Sequence, residues 1–468
     1  MSSPLRTRIF AWLWEHRWFL VVTLAALIVR LHWNLVVHPP GDYVYSDMRG
    51  YVGRADSIFT HPWGRKEYDA FFPYGTHFLL FVVKALFGRT NDPAIAVVYA
   101  CMGAALVGFG YLLARRVSSR RWVAPAVGLM GVFYYPHISL GGYFLSEIPF
   151  ALCLTTATWL VCRLVDDSRK LDAWWLGVVT AVGFTFRPQI ILSVGLFAAS
   201  WLILRKRYPK VTFSLLLRAA VPLVLVIAFS VGRLYWHTER WGLISENGRF
   251  NQVFGRCHNK AIVALPDSGG RGRTRFAPPP LIQLEKHSRE HSRALVKLNP
   301  AIGIELTYRG YIGDKHKLDR FIRKCIKKTG WKGQLEYAAV NAVLLWRYNI
   351  MWPDSGKKQW QGIGLLWVSL HSNLFAIPAL LGLVTVGFPR RAPKQGILAL
   401  HLLALLALAV VYFGDTRIRC PYDLILIVLA LEVVGFALAW LWPWFLRVAR
   451  SRNREEHDAV QRSDASHG

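Results

Sequence analysis

Apolar residues gather in blocks along this chain, and each block is about 20 residues long, the length a helix needs to cross ~30 Å of hydrocarbon. In hydrocarbon the backbone must satisfy its own hydrogen bonds, so blocks of this kind have to be helices. The chain has 468 residues, of which 53% are hydrophobic, and it carries 20 Trp. The pattern predicts an all-α polytopic membrane protein with about ten transmembrane helices, juxtamembrane helices on the outer face and one large outer loop. The first block, Trp18 to Val37, follows Arg6, Arg8 and Arg17. A cleavable signal peptide is the competing reading, but the apolar run is too long and no small-x-small site follows. It reads as a signal anchor.

The formal net charge of +29 raises nucleic acid as a partner. No nucleic-acid motif accompanies it, and basic residues collect at cytoplasmic helix ends and anionic headgroups in any such membrane protein. The six cysteines show no metal-type spacing. Cys101, Cys153 and Cys162 fall in apolar blocks. Cys257 and Cys325 share a polar segment and are either disulfide partners or two thiols.

Basic clusters set the threading under the positive-inside rule. Arg115, Arg116, Arg120 and Arg121 read as cytoplasmic. So do Arg169 and Lys170, then Arg205, Lys206 and Arg207, then Arg390, Arg391 and Lys394, and the tail from Arg447. Between them lie spans at Trp18–Val37, Pro93–Ala114, Val123–Ser139, Phe144–Val165, Phe213–Trp236, Ile363–Val386, Gln395–Phe413 and Tyr422–Val448. Ala173–Phe186 and Pro188–Leu204 form a short pair meeting at "FRPQ". Phe71 to Gly88 is short, holds His77 and Lys84, and would reverse the first basic cluster if it crossed. It is expected to be an outer interfacial or re-entrant helix. The organisation is thus a transmembrane module at 1–236 with an outer loop at 38–92, a large outer loop at 237–361, further spans at 362–448 and a charged tail at 449–468. Within the large loop, Leu335, Ala338, Ala339, Ala342, Val343 and Trp346 mark an amphipathic helix lying on the membrane.

With this threading the charged outliers fall on one side. Arg30 and His32 lie in the outer half of the first span, and Asp42, Asp47 and Asp56 in the first outer loop. His137 and Glu147 flank an outer turn, Arg187 tips the short pair, and Asp415, Arg417, Arg419 and Asp423 form the last outer turn. Charges against hydrocarbon are costly and usually face a cavity or partner. The chemistry this suggests is transfer involving an anionic, lipid-linked substrate. Arginines hold a phosphate, and a carboxylate such as Asp47 takes a proton. Plainer readings stand beside these. Arg30 and Glu147 fit buried pairing, Arg187 fits a turn before Pro188, Arg417 and Arg419 fit surface charge, and Asp47 fits a helix cap near Met48. Asp56 and Asp69 read as solvated. The loop Ser245 to Asn259 fits either acceptor binding or simple turns.

The ordered motifs resemble the GT-C superfamily of integral-membrane glycosyltransferases that use polyprenyl-phosphate sugars. "SDMRGYVGRA" resembles its first-loop Asp-x-x-x-Tyr motif, here Asp47 and Tyr51. "FFPYGTHFLLFVVKALFG" resembles its Tyr-Pro-Pro-Leu block, and "GYLLARRVSSRRWVAPAVGL" its basic turn. "LSEIPFALCL" is similar to its Ser-Glu-Pro-Leu-Phe motif, with Ile-Pro in place of Pro-Leu. "GVVTAVGFTFRPQIILSV" and "DTRIRCPYDLILIVLA" resemble its Arg-Pro hairpin and last-turn motif. The likeness covers roughly 18–236 and 360–445.

The resemblance implies a hexosyl or pentosyl transferase with an outward-facing active site. By its overall look the chain reads as a bacterial inner-membrane protein with that site facing the periplasm, and a eukaryotic reticulum enzyme would thread the same way with the lumen outside. Asp47 is then the base, with Asp42 a second candidate. Arg30, Arg187, Arg417 and Arg419 are candidates for the lipid phosphate, and Tyr51 and Glu147 for substrate binding. The leaving carrier phosphate gathers charge that arginines stabilise. Met48 follows Asp47 where some members have a second acid, so neither a metal nor another cofactor is expected. The implied partners are the donor lipid, membrane lipids and a glycan, lipid or protein acceptor. Two rivals remain. A transporter or flippase would place charges near the midplane in repeated halves, and none are seen. An O-antigen ligase or polymerase would use residues of the large loop, such as His258 or His287. A catalytically silent scaffold is the third alternative.

Overall fold

The computed structural model describes residues 16–65, 67–256, 313–346, 351–354, 357–387 and 392–441, with Trp14 and the backbone of short strands between 262 and 308. Helix α1 spans Arg17–His32 and runs on through one π turn, Trp33–Val37. Then come α2 (Asp47–Thr60), α3 (Gly75–Phe87), α4 (Asp92–Val117), α5 (Val123–Phe133), α6 (Tyr135–Gly141) and α7 (Glu147–Asp167). The next are α8 (Lys170–Phe186), α9 (Ile190–Ile203), α10 (Phe213–Thr238) and α11 (Asn247–Arg256). In the large loop, strands β1 (Ile262–Pro266) and β2 (Gly272–Phe276) pair as an antiparallel hairpin. Strands β3 (Gln283–Ser288), β4 (His291–Lys297) and β5 (Thr307–Tyr308) form a second small sheet. Helices α12 (Lys315–Leu344), α13 (Lys358–Val386), α14 (Pro393–Val411) and α15 (Thr416–Leu441) complete the chain.

Among the described residues seven helices are long and apolar enough to cross a membrane, and eight if the pair α5 and α6, bent by 46°, is one span. The two short helices of the pair meeting at "FRPQ" are α8 and α9, of 17 and 14 residues. Neither reaches the length of the others, so seven or eight of the ten or so expected spans are long enough to cross among the described residues. The multi-pass helical membrane fold is therefore the one the sequence implied. The added feature is the strand pairing in the large loop, where apolar periodicity is weak. α3 has 13 residues, about 20 Å at ~1.5 Å per residue, too short to span. Its His77 and Lys84 are buried, and Lys84 Nζ pairs with Asp56 Oδ1 at 2.7 Å. Asp56, expected to be solvated, thus neutralises a buried cation.

The core is built where α4 packs against α1 and α7, with α8 bridging α7 and α10. α4 begins well because Asn91 Oδ1 accepts the Ala94 N–H at 3.1 Å and Pro93 sits in the first turn. Gly103 lets α1 approach, since a Cβ there would lie 2.6 Å from Arg30 Cδ. In α12 a break at Gly330 (φ 64°) joins two helical stretches. The second buries Gly333, Tyr337, Asn341 and Leu344 and exposes Leu335 and Val343, while Trp346 is buried beyond its end. The stripe expected to meet lipid is thus only partly turned outward. Cys325 is disulfide-bonded, and Cys257 lies outside the described residues.

Candidate active site

Four elements distant in sequence bring charge to one end of the bundle. α2 supplies Asp47. The turn into it is tight: Met48 N–H donates to Tyr45 O at 3.1 Å. Ser46 takes φ 49° and ψ −124°, a turn conformation that normally selects glycine. Asp47 is therefore the first helical residue rather than the cap, and its Oδ2 accepts from Arg417 Nη1 at 3.3 Å. Arg417 is placed by Asp415, whose Oδ1 accepts the Arg417 N–H at 2.7 Å and caps α15. Arg417 Nε also donates to Glu147 Oε1.

Glu147 opens α7 and is fully buried. The same Oε1 accepts from Arg187 Nη2, and Arg187 Nε donates to Ser146 Oγ at 2.9 Å. Arg187 stands just past the end of α8 in extended backbone, before Pro188. One buried carboxylate thus holds two guanidiniums, and the second carboxylate, Asp47, sits on the outer edge of the group. Each guanidinium carries five donors. Among the described residues, Arg187 Nη1 and Arg417 Nη2 have no protein acceptor. Tyr51, one turn after Asp47, is buried against Phe72. Burial, with Asp47 and Glu147 nearby, pushes its phenol well above the usual range.

The remaining residues singled out from the sequence go elsewhere. Arg30 is buried in α1 and donates to the backbone carbonyls of Gly131 at 3.0 Å and Val132 and Ala26 at 3.3 Å. It satisfies the carboxyl end of α5 at the bend, where carbonyls lack helical partners. No described contact joins it to Asp47. Arg419 points away from Arg417 because it lies two residues on along a helix. Its Nε donates to Asp423 Oδ1 at 2.8 Å and its Nη1 to Leu345 O at 2.8 Å. Asp42 sits in the turn Pro40–Tyr43, within electrostatic reach of His38 and Asp92. His258 lies outside the described residues, and only the backbone of His287 is described.

A segment that sequence reading passed over lies against this cluster. Trp352 lies over the Arg417 guanidinium, 4.4 Å from ring centroid to Cζ. Nothing in the local pattern marks "MWPD" as special, because its importance comes from what it touches. A second charged group, His137, Cys420 and Asp423, has ligand atoms within 4.8 Å of one another. Its Asp423 is taken by Arg419 and by Tyr134 OH at 2.7 Å, and His137 Nε2 bonds Cys420 O at 2.8 Å. A guanidinium on the carboxylate opposes a cation there.

Residues 72–236 match the family described as dolichyl-phosphate-mannose-protein mannosyltransferase. No curated protein matches the sequence. Solved structures similar to the chain include the Archaeoglobus fulgidus oligosaccharyltransferase in the apo form, with 13% identity and a TM-score of 0.46 over 93% of this chain and 52% of that one. Another is the same enzyme tethered to an acceptor peptide, with 12% identity and a TM-score of 0.44 over 93% of this chain and 51% of that one. A third is archaeal oligosaccharyltransferase AglB from the same organism with an inhibitory peptide and a dolichol-phosphate, with 13% identity and a TM-score of 0.41 over 94% of this chain and 52% of that one. The chain thus spans about half the length of these proteins. The family match takes in the helices from α3 through most of α10, including Glu147 and Arg187. Over these residues the chain is similar to that family of membrane enzymes.

Proposed function

We propose that this protein transfers a sugar from a polyprenyl-phosphate carrier to an acceptor at the membrane surface. The observation that carries this reading is the bonded array of Asp47, Arg417, Glu147 and Arg187 at one end of a membrane helix bundle. In the reaction the acceptor hydroxyl or amine loses its proton to Asp47 and attacks the anomeric carbon. The bond from that carbon to the carrier phosphate breaks, and the phosphate leaves with the electron pair. The side chain of Asp47 is 31% exposed, so an acceptor can reach it. Arg187 and Arg417 direct their remaining donors at the leaving phosphate, where charge develops. Glu147 fixes both guanidiniums in place before the lipid arrives, which lowers the reorganisation needed in the transition state. Tyr51 lines the base side. Arg30 and Arg419 act in this reading as supports of the bundle rather than as phosphate ligands. The side that faces outward is the periplasm of a bacterial inner membrane, and the donor carries a hexose or pentose.

The test is sugar transfer in membranes containing the wild type, Asp47→Asn or Asp42→Asn, supplied with a panel of polyprenyl-phosphate sugars. Folded protein levels are matched. Loss of about 10²–10⁴ in rate with Asp47→Asn alone supports Asp47 as base. Robust transfer by Asp47→Asn removes it from that role.

A further inference from the structure

Beside the Arg417 cluster, a short segment of the large loop is fastened down by a buried carboxylate. Asp354 is 1% exposed and lies among three hydroxyl donors. Tyr135 OH donates to its Oδ2 at 2.8 Å, Ser139 Oγ to the same oxygen at 2.7 Å, and Tyr143 OH to Oδ1 at 2.9 Å. Two of these come from α6 and one from the turn after it. No cation pairs with Asp354 among the described residues. A buried carboxylate held only by hydroxyls is costly to desolvate, and that cost pushes its carboxyl above the usual range.

The fastening has a clear consequence two residues earlier. Trp352 rests on the face of Arg417 and meets the Tyr45 ring edge-on at 5.9 Å. Tyr45 OH donates to Pro353 O at 3.3 Å. Lys357 Nζ stands over the rings of Tyr43 and Tyr45 at 5.3 and 5.0 Å, and Gln359 Nε2 donates to Tyr43 OH at 3.3 Å. The segment therefore runs along the first outer loop just ahead of Asp47. A ring set against the guanidinium limits how it can turn, and with Nε and Nη1 bonded to Glu147 and Asp47 it leaves Nη2 for an oxyanion.

We propose that Asp354 is a positioning residue, a latch that seats Trp352 on Arg417 so that the guanidinium presents its Nη2 to the phosphate of a polyprenyl-phosphate substrate. This inference rests on the function proposed above, and its test separates the two.

The experiment uses the full chain in lipid nanodiscs with two readouts. One is hydrogen exchange of backbone amides across 351–360. The other is binding of undecaprenyl phosphate, the carrier without sugar. Asp354→Ala is expected to speed exchange in that stretch and to weaken binding about tenfold, as loss of charge-assisted bonding to one oxyanion contact does. Tyr143→Phe, which removes one donor, is expected to give a smaller change in the same direction. Trp352→Ala is expected to leave exchange at 357–360 slow while weakening binding, and Trp352→Phe to restore it. Unchanged exchange in both Asp354→Ala and Tyr143→Phe overturns the latch. Wild-type binding by Trp352→Ala overturns the seat on Arg417. If the wild type binds no carrier while Asp354→Ala still speeds exchange, the latch stands, and the phosphate-positioning role falls together with the glycosyltransferase reading.

Discussion

The two ends of the helix bundle handle charge in opposite ways. At one end Arg116 Nε pairs with Asp166 at 2.8 Å, Lys394 Nζ with the same carboxylate at 3.3 Å, and Arg120 with Glu432 at 3.5 Å. Arg116 and Asp166 are 28% and 32% exposed. At the other end the Glu147 side chain is 1% exposed and Arg419 2%. The first end gathers the basic clusters that the positive-inside rule assigns to the cytoplasmic face. Its Arg116 and Lys394 pairs are partly exposed and individually weak. The second end buries its charges in a connected network, where removing one partner strands another. A surplus of charge is enough to orient a membrane protein, whereas holding a phosphate needs fixed geometry.

The contrast yields a graded set of outcomes. Glu147→Ala leaves Arg187 and Arg417 without their shared acceptor, and is expected to cost about 3–5 kcal/mol of stability along with activity. Thermal unfolding in detergent reads the first and sugar transfer the second. A cost under 1 kcal/mol would mean that the site end is no more tightly coupled than the basic end.

His38 gives the next largest effect. It is stacked on Tyr43 at 3.7 Å, and burial lowers its pKa to about 4. The folded protein therefore binds fewer protons than the unfolded chain between pH 4 and the ordinary value of 6.5. Stability is complete above pH 6.5 and falls as pH drops toward 4, by up to roughly 3 kcal/mol at one unit per 1.36 kcal/mol. His38→Phe should flatten that slope while keeping the stack. An equal slope in the variant would place the titration elsewhere.

Ser46 comes third. Because its φ of 49° and ψ of −124° suit glycine, Ser46→Val is expected to cost about 1–3 kcal/mol. Ser46→Gly should cost nothing. Equal melting temperatures for the two would show that the turn before Asp47 is relaxed. The smallest effect belongs to Arg116→Ala, expected to change stability by about 0.2–1 kcal/mol, less at high salt. Transfer activity should be unchanged. A large loss there would erase the distinction between the ends.

Much of the architecture was readable along the chain. Block length and basic flanks located most of the long spans to within a few residues, and the shortness of Phe71 to Gly88 matches the 13 residues of α3. The site was readable only in part. Asp47, Glu147, Arg187 and Arg417 carried the right residue types, and the structure brings them together. Arg30 and Arg419 looked equivalent to them in sequence. Their roles differ because one faces the open carbonyls of α5 and the other turns with its helix toward Asp423. Asp42 and Asp47 lie five residues apart in the same outer loop, one in the turn before α2 and the other at its first residue. Asp354 was invisible because its three partners lie more than two hundred positions away.

The sequence by itself determined that this chain is a multi-pass helical membrane protein with basic clusters at one set of helix ends and mixed charge at the other. That follows from hydrocarbon thickness and backbone hydrogen bonding, both of which act on contiguous residues. Only the tertiary structure decided which charges meet. Pairing depends on how helices from positions 47, 147, 187 and 417 pack side by side, and side-chain direction turns by about 100° with each residue.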